Sequence, residues 1–315
     1  MAEPYLVISM KFGAQTEYGE LRKVLMHRPG EGMRVVTAGN KDDYLFRDPV
    51  YWKAFQEEHD AFTDALKAEG VEVTLLTDLL DERHSRIADV LPNLVYTRDV
   101  AMVNNLGANI LRMTYPARFV EPTLMEKAFK ELGIPIALRV TPPGLVEGGD
   151  FVWFDEKTPM MGFGTRSNEH GVHQMRASML GRCVEEFVAQ PLPGWRVHLD
   201  GALMMMAPDL ALFYPGALKL FPAYVYSEDG VELMWLEDYL KEKGVELIHC
   251  NDTEIRVFGS NIIGLGDGKC VSYEWNERII PLLEDRGFDV IKTPGSQLSI
   301  GGGGPHCMTC PILRD

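Results

Sequence analysis

The sequence is short of most features that would assign it at once. Its five cysteines (Cys183, Cys250, Cys270, Cys307 and Cys310) are odd in number and scattered. That excludes a disulfide framework and favours a reducing, cytoplasmic setting. No run approaches the roughly 20 apolar residues of a membrane-spanning helix. The opening stretch, Met1 to Met10, lacks the basic flank and apolar run of a signal peptide. Positive charge is scarce: 31 Lys and Arg face 46 Asp and Glu, a formal charge of −15. That argues against a nucleic-acid partner, whose phosphates need clustered Lys and Arg, and suits a small cation drawn into an acidic field. No low-complexity segment or linker divides the chain, so one domain over residues 1–315 is expected.

What is present is an ordinary globular balance, 46% hydrophobic and 24% charged. A unit also recurs, of the form strand, turn, strand, helix, strand. One copy reads Val100 to Val103, Asn109 to Met113, a helix over Glu121 to Leu132, and Ile136 to Val140. A second reads Phe151 to Phe154, Met160 to Phe163, and a helix over Gly171 to Val188. A third reads Ala202 to Ala207, Leu210 to Tyr214, a helix over Gly230 to Lys243 with Leu233, Leu236 and Leu240 on one face, and Val245 to His249. A fourth reads Glu254 to Phe258, Asn261 to Leu265, a helix over Glu274 to Asp285, and Val290 to Ile291. The N-terminal part adds Val24 to His27, a helix over Pro49 to Ala68, and Val71 to Leu75. Gly133, Gly244 and Gly287 stand where helices should stop. About five ββαβ units predict an α/β propeller around an axis.

Polar chemistry collects at four strand junctions. Pro92 to Asp99 ends in Thr97-Arg98-Asp99; Glu147-Gly148-Gly149-Asp150 pairs carboxylates with glycines; His198-Leu199-Asp200 sets a base two residues from a carboxylate. Taken singly, each also fits a plain surface turn. Ser299 to Cys310 is harder to explain by packing. Its four consecutive glycines are costly to order, which a loop closing on a ligand would tolerate. No Lys-Ser/Thr follows to make a phosphate loop. Cys307 and Cys310 have C-x-x-C spacing, but a second such pair is lacking, so neither structural zinc nor a redox pair is expected. One thiol, one histidine and several carboxylates suit a planar cation. A guanidinium pairs bidentately with carboxylates, and its carbon is open to a thiolate.

In this order, Thr97-Arg98-Asp99, Glu147-Gly148-Gly149-Asp150, His198-Leu199-Asp200 and the Gly-rich loop with Cys307 resemble the guanidine-modifying superfamily: arginine deiminases, dimethylarginine dimethylaminohydrolases, agmatine deiminases and amidinotransferases. Tyr18 to Gly30, Leu45-Phe46-Arg47-Asp48 and Gln56 to Phe62 resemble the arginine deiminase branch in particular. The resemblance implies a five-bladed α/β propeller (pentein fold) and a metal-free, cofactor-free enzyme. Cys307 would be the nucleophile and His198 the acid and base. Asp99 and Asp200 would grip the guanidinium, with Glu147 orienting His198 or the substrate. Arg118 and Arg166 would meet a substrate carboxylate and Asn93 its α-amino end, with Asp150 also in the binding set. It further implies a small guanidino substrate, a homodimer as is common in the family, and loss of a helical insertion between Glu147 and His198. The family's usual arginines in the Gly-rich loop are replaced by Gly302 and His306. His before Cys resembles amidinotransferases and agmatine deiminases. A deiminase-type hydrolase is thus the first expectation, an amidinotransferase the second, and an inactive binder of cationic amines the third. No role is expected for Cys310 beyond packing.

Overall fold

A computed structural model describes residues 12–315. The Met1 to Met10 reading lies outside them. The fold is mixed α/β, and its strands form five sheets. The first unit holds β1 (Leu21–Met26), α1 (Trp52–Ala68) and β2 (Glu72–Leu75), followed by the short α2 (Glu82–Ala88). The second holds β3 (Ala101–Asn104), β4 (Gly107–Ile110), α3 (Glu121–Glu131) and β5 (Ile136–Arg139). The third holds β6 (Phe151–Asp155), β7 (Thr158–Phe163), α4 (Glu169–Met179) and β8 (Phe187–Pro191). The fourth opens with β9 (Leu203–Ala207), β10 (Leu210–Phe213) and α5 (Pro215–Leu218). A hairpin, β11 (Ala223–Ser227) and β12 (Gly230–Met234), then joins the third sheet before α6 (Leu236–Glu242) and β13 (Glu246–His249) complete the fourth. The fifth holds α7 (Asp252–Arg256), β14 (Ile263–Gly266), β15 (Lys269–Tyr273), α8 (Ile279–Glu284) and β16 (Asp289–Thr293). The closing strand β17 (Cys310–Arg314) returns to pair with β1.

One pairing rule runs through all five sheets. A first strand lies antiparallel to a middle strand, and the middle strand lies parallel to a third reached through a helical crossover. In the N-terminal sheet the first strand is β17. The crossover helices bury one face against their own strands. In α1, Phe55, Phe62 and Leu66 recur at helical spacing, are fully buried, and share a core cluster with Val24 and Met26 of β1. Each such side chain contributes about 1.5–3 kcal/mol on burial. Gly133, Gly244 and Gly287 take positive φ of 70°, 84° and 85° just past helix ends, as expected.

Four expected elements differ, one of them simply in length: the helix over Glu274 to Asp285 begins only at Ile279. The helix over Gly171 to Val188 stops at Met179, where Gly181 at φ 70° reverses the chain, and Phe187–Pro191 is a strand parallel to β7. The helix over Gly230 to Lys243 begins only at Leu236. Gly230–Met234 is a largely exposed strand that pairs with Ala223–Ser227, so Leu233 is an exposed strand residue while Leu236 and Leu240 are buried. Glu254 to Phe258 is no strand, because Asn251 and Glu254 form a reciprocal capping box that starts α7. The fifth sheet uses Lys269–Tyr273 instead, reached through a turn in which Asp267 and Gly268 both have positive φ. Among the described residues no helix is long and apolar enough to cross a membrane.

Candidate active site

The repeat positions the site. Just before the first strand of each sheet the chain makes a tight turn, and these turns carry Asp99 before β3, Glu147 to Asp150 before β6, His198 to Asp200 before β9, Asn261 before β14 and Cys307 before β17. All are buried rather than on surface turns. The glycines between them set the spacing. A Cβ on Gly149 would lie 2.5 Å from His198 Nδ1 and 2.9 Å from Asp99 Oδ1.

Two clusters result. In the first, Glu147 Oε2 lies 3.0 Å from His198 Nε2 and accepts from Arg166 Nη1 at 2.8 Å, while Thr114 N donates to Oε1 at 3.1 Å. Asp99 Oδ1 stands 3.6 Å from His198 Nδ1, an ion contact too long for a hydrogen bond. Burial opposes charge on His198, but Asp99 and the Glu147 hydrogen bond outweigh it and lift the imidazole to about 9. Burial likewise opposes charge on Glu147, yet His198, Arg166 and Arg118 hold it below the usual carboxylate range. Asp99, Glu147 and His198 also have the spacing of a metal-binding trio. Arg118 on Asp99 and Arg166 on Glu147 already balance both carboxylates.

In the second cluster Cys307 Sγ lies 3.3 Å from Asn261 Oδ1 and 3.5 Å from Asp200 Oδ2. Burial pushes the thiol well up, and Asp200 and Asp99 push it further. A hydrogen bond from Arg98 N to Cys307 O, 3.2 Å, ties the second cluster to the turn bearing Asp99. The Gly-rich loop closes on the chain itself. A Cβ on Gly301 would collide with the Tyr96 hydroxyl, one on Gly303 with the Tyr96 ring and one on Gly304 with Asn261, and Gly302 takes φ 100°.

The remaining expected residues divide. Asn93 donates through Nδ2 to Tyr44 O at 2.7 Å, leaving its buried Oδ1 without a partner. Arg166 spends one nitrogen on Glu147 and stacks its guanidinium 4.7 Å above the Tyr115 ring. Arg118 is fully buried and gives its nitrogens to Asp99, Glu121 and the carbonyls of Asn93 and Tyr96, so here it holds Asp99 in place. Asp150 accepts from Ser167 Oγ at 2.6 Å and Leu199 N at 3.1 Å, tying the His198 turn to its neighbour, and burial lifts it to about 7. Sequence reasoning missed Asn261, Glu17 and Tyr96. Only the repeat's phase could have pointed to Asn261, which occupies the same place before β14 that Asp99 occupies before β3.

A family model described as arginine deiminase matches residues 42–90 and 81–314. An arginine deiminase of Rhodococcus jostii (strain RHA1) is 27% identical over 401 aligned positions, covering 98% of each chain. A solved dimethylarginine dimethylaminohydrolase from Pseudomonas aeruginosa, complexed with citrulline, superposes with a TM-score of 0.71 at 19% identity, over 93% of this chain and all of that one (100%). The amidinotransferase SxtG from Microseira wollei gives 0.74 at 16% identity, over 96% and 97%. The longer matched stretch spans Glu147 to His198 as one piece, and the two stretches meet at residues 81–90.

Proposed function

Because the chain belongs to the arginine deiminase family and is an enzyme acting at a guanidino carbon, we propose that it is a cysteine-dependent deiminase of arginine or a close relative. We read its five sheets as the blades of one propeller, forming a single catalytic domain in a reducing, cytoplasmic setting. The observation that carries the reading is a pair of buried acceptors with no donor. Asp99 Oδ1 and Asn93 Oδ1 are both sequestered and unpaired. An unpaired buried acceptor costs about 1–3 kcal/mol. A guanidinium N–H and an α-ammonium would supply the missing donors.

The electrostatics give an order of events. Before substrate binds the thiol is neutral, because burial first, and then Asp200 and Asp99, oppose its ionisation. A guanidinium between those carboxylates cancels their effect, so the thiol loses its proton to solvent only once the cation is bound. Cys307 Sγ then attacks the guanidinium carbon. His198, protonated at neutral pH, gives its proton to the departing nitrogen, which leaves as ammonia. The remaining thiouronium is opened by water that the now neutral His198 deprotonates. A ureido product leaves, its remaining hydroxyl proton passes to the departing sulfur, and the neutral thiol and the imidazolium are restored.

The test is mass spectrometry of products from L-arginine with and without glycine or lysine. Citrulline plus ammonia in both supports deimination. Ornithine formed only with an acceptor overturns it in favour of amidino transfer.

A further inference from the structure

His306 lies beside the candidate nucleophile in sequence, yet its ring is wholly buried between two carboxylates. Nδ1 faces Asp200 Oδ2 at 2.9 Å, and Nε2 faces Glu17 Oε2 at 3.1 Å. The other oxygen of Glu17 accepts from Trp153 N at 3.1 Å, at β6. Asp200 Oδ2 is the same oxygen that meets Cys307 Sγ at 3.5 Å. A line of polar groups therefore runs from the loop before β1, through His306, to the thiol. An imidazole can satisfy an acceptor at each nitrogen only with a proton on both, and either buried carboxylate left without a donor would be costly. The other charged groups facing this line are few. Arg98 reaches His306 O through Nε at 3.4 Å and Thr309 Oγ1 through Nη2 at 3.3 Å, and its charge acts on both carboxylates. Arg314 acts on Glu17, and His198 and Arg196 act on Asp200.

We propose that Glu17 and His306 are positioning residues: His306, clamped between Glu17 and Asp200, fixes the orientation of Asp200 and keeps it ionised, ready to hold the guanidinium. This rests on the reading of Asp200 as a partner of the substrate cation. In support, Glu17 and Asp200 both lie below the ordinary carboxylate value although burial alone would raise them, and the His306 hydrogen bond and charge lead the groups that oppose burial, ahead of Arg98 at both, Arg314 at Glu17 and His198 at Asp200. The arrangement also gives Glu17, distant from the reacting atoms, a reason to be buried on the far side of the histidine.

The experiment follows the Asp200 carboxyl directly, by ¹³C NMR of carboxyl-labelled full-length protein across pH, with Asp200→Asn assigning the signal. In His306→Asn the Asp200 midpoint should rise by about one pH unit or more, the size expected on losing a close opposite charge. Glu17→Gln should move it in the same direction by less. The acid limb of kcat/KM for L-arginine should shift with it, through KM more than kcat. An unchanged midpoint in folded variants overturns the proposal, whatever happens to turnover. If His306→Asn does not fold, Glu17→Gln decides. If the unaltered protein leaves every guanidine untouched, the deiminase reading fails, and the carboxyl titration still decides the role of His306.

Discussion

At Gly149 a single missing methyl group makes room for two functional side chains. Gly149→Ala would push His198 away from Asp99 while leaving the backbone unstrained, since Gly149 is not among the glycines with positive φ. We expect kcat/KM for L-arginine to fall by about 100-fold, the scale of a misplaced reacting group, with a melting temperature close to that of the parent. Cys307→Ser should bind arginine by calorimetry and release no product. Binding with full turnover would remove the thiol from the mechanism. On the proposed mechanism His198 sets the alkaline limit. Its folded value lies above the free one, so activity that needs the imidazolium is held below about 9 and lost as pH rises through it. In Asp99→Asn that limb should move to lower pH, because the Asp99 charge pulls the imidazole upward. The motifs Thr97-Arg98-Asp99, Glu147-Gly148-Gly149-Asp150 and His198-Leu199-Asp200 were readable because short polar runs interrupt apolar strands. Glu17 and Asn261 were not, since each is one polar residue with no local pattern, and its meaning lies wholly in a partner more than forty positions away. Nor could sequence foresee that Arg118 would spend its donors inside the protein.

At the scale of elements, the units carrying one uninterrupted pattern were read well. The strand, turn, strand and helix from Ala101 to Glu131 fall within two or three residues of expectation. The departures have local causes. An apolar i, i+3, i+7 match at Leu233, Leu236 and Leu240 runs across a strand and a helix, and periodicity alone cannot see that boundary. Phe187 and Val188, the start of β8, were absorbed into a helix because one glycine, Gly181, carries the whole reversal. α7 is a different case, since its capping box is written in sequence as Asn251 and Glu254 three apart. Asn251→Ala should therefore lower stability by about 1 kcal/mol in urea unfolding. A neutral result would mean that packing, not the cap, starts the helix.

At the scale of the molecule, two buried histidines predict how the fold fails in acid. His27 and His59 are wholly buried, and burial, with their mutual repulsion at His59, depresses them to about 4 and about 3. The unfolded chain binds their protons below about 6.5, whereas the folded chain refuses them. Stability is thus complete above about 6.5 and drains as pH falls toward 4 and then 3, by roughly 3 kcal/mol for His27 alone. Urea midpoints measured between pH 7 and pH 4 should fall accordingly. His59→Gln should flatten the lower part of that curve.

The pairing of β17 with β1 also sets a timetable for biosynthesis. Cys307 and the strand that anchors it leave the ribosome after the four sheets formed wholly by residues 101–293, and only their arrival gives β1 its antiparallel partner. The nascent polypeptide therefore carries His198 and its carboxylates long before Cys307. On the mechanism proposed above, it stays chemically silent toward guanidines until translation reaches the segment that both arms and seals it.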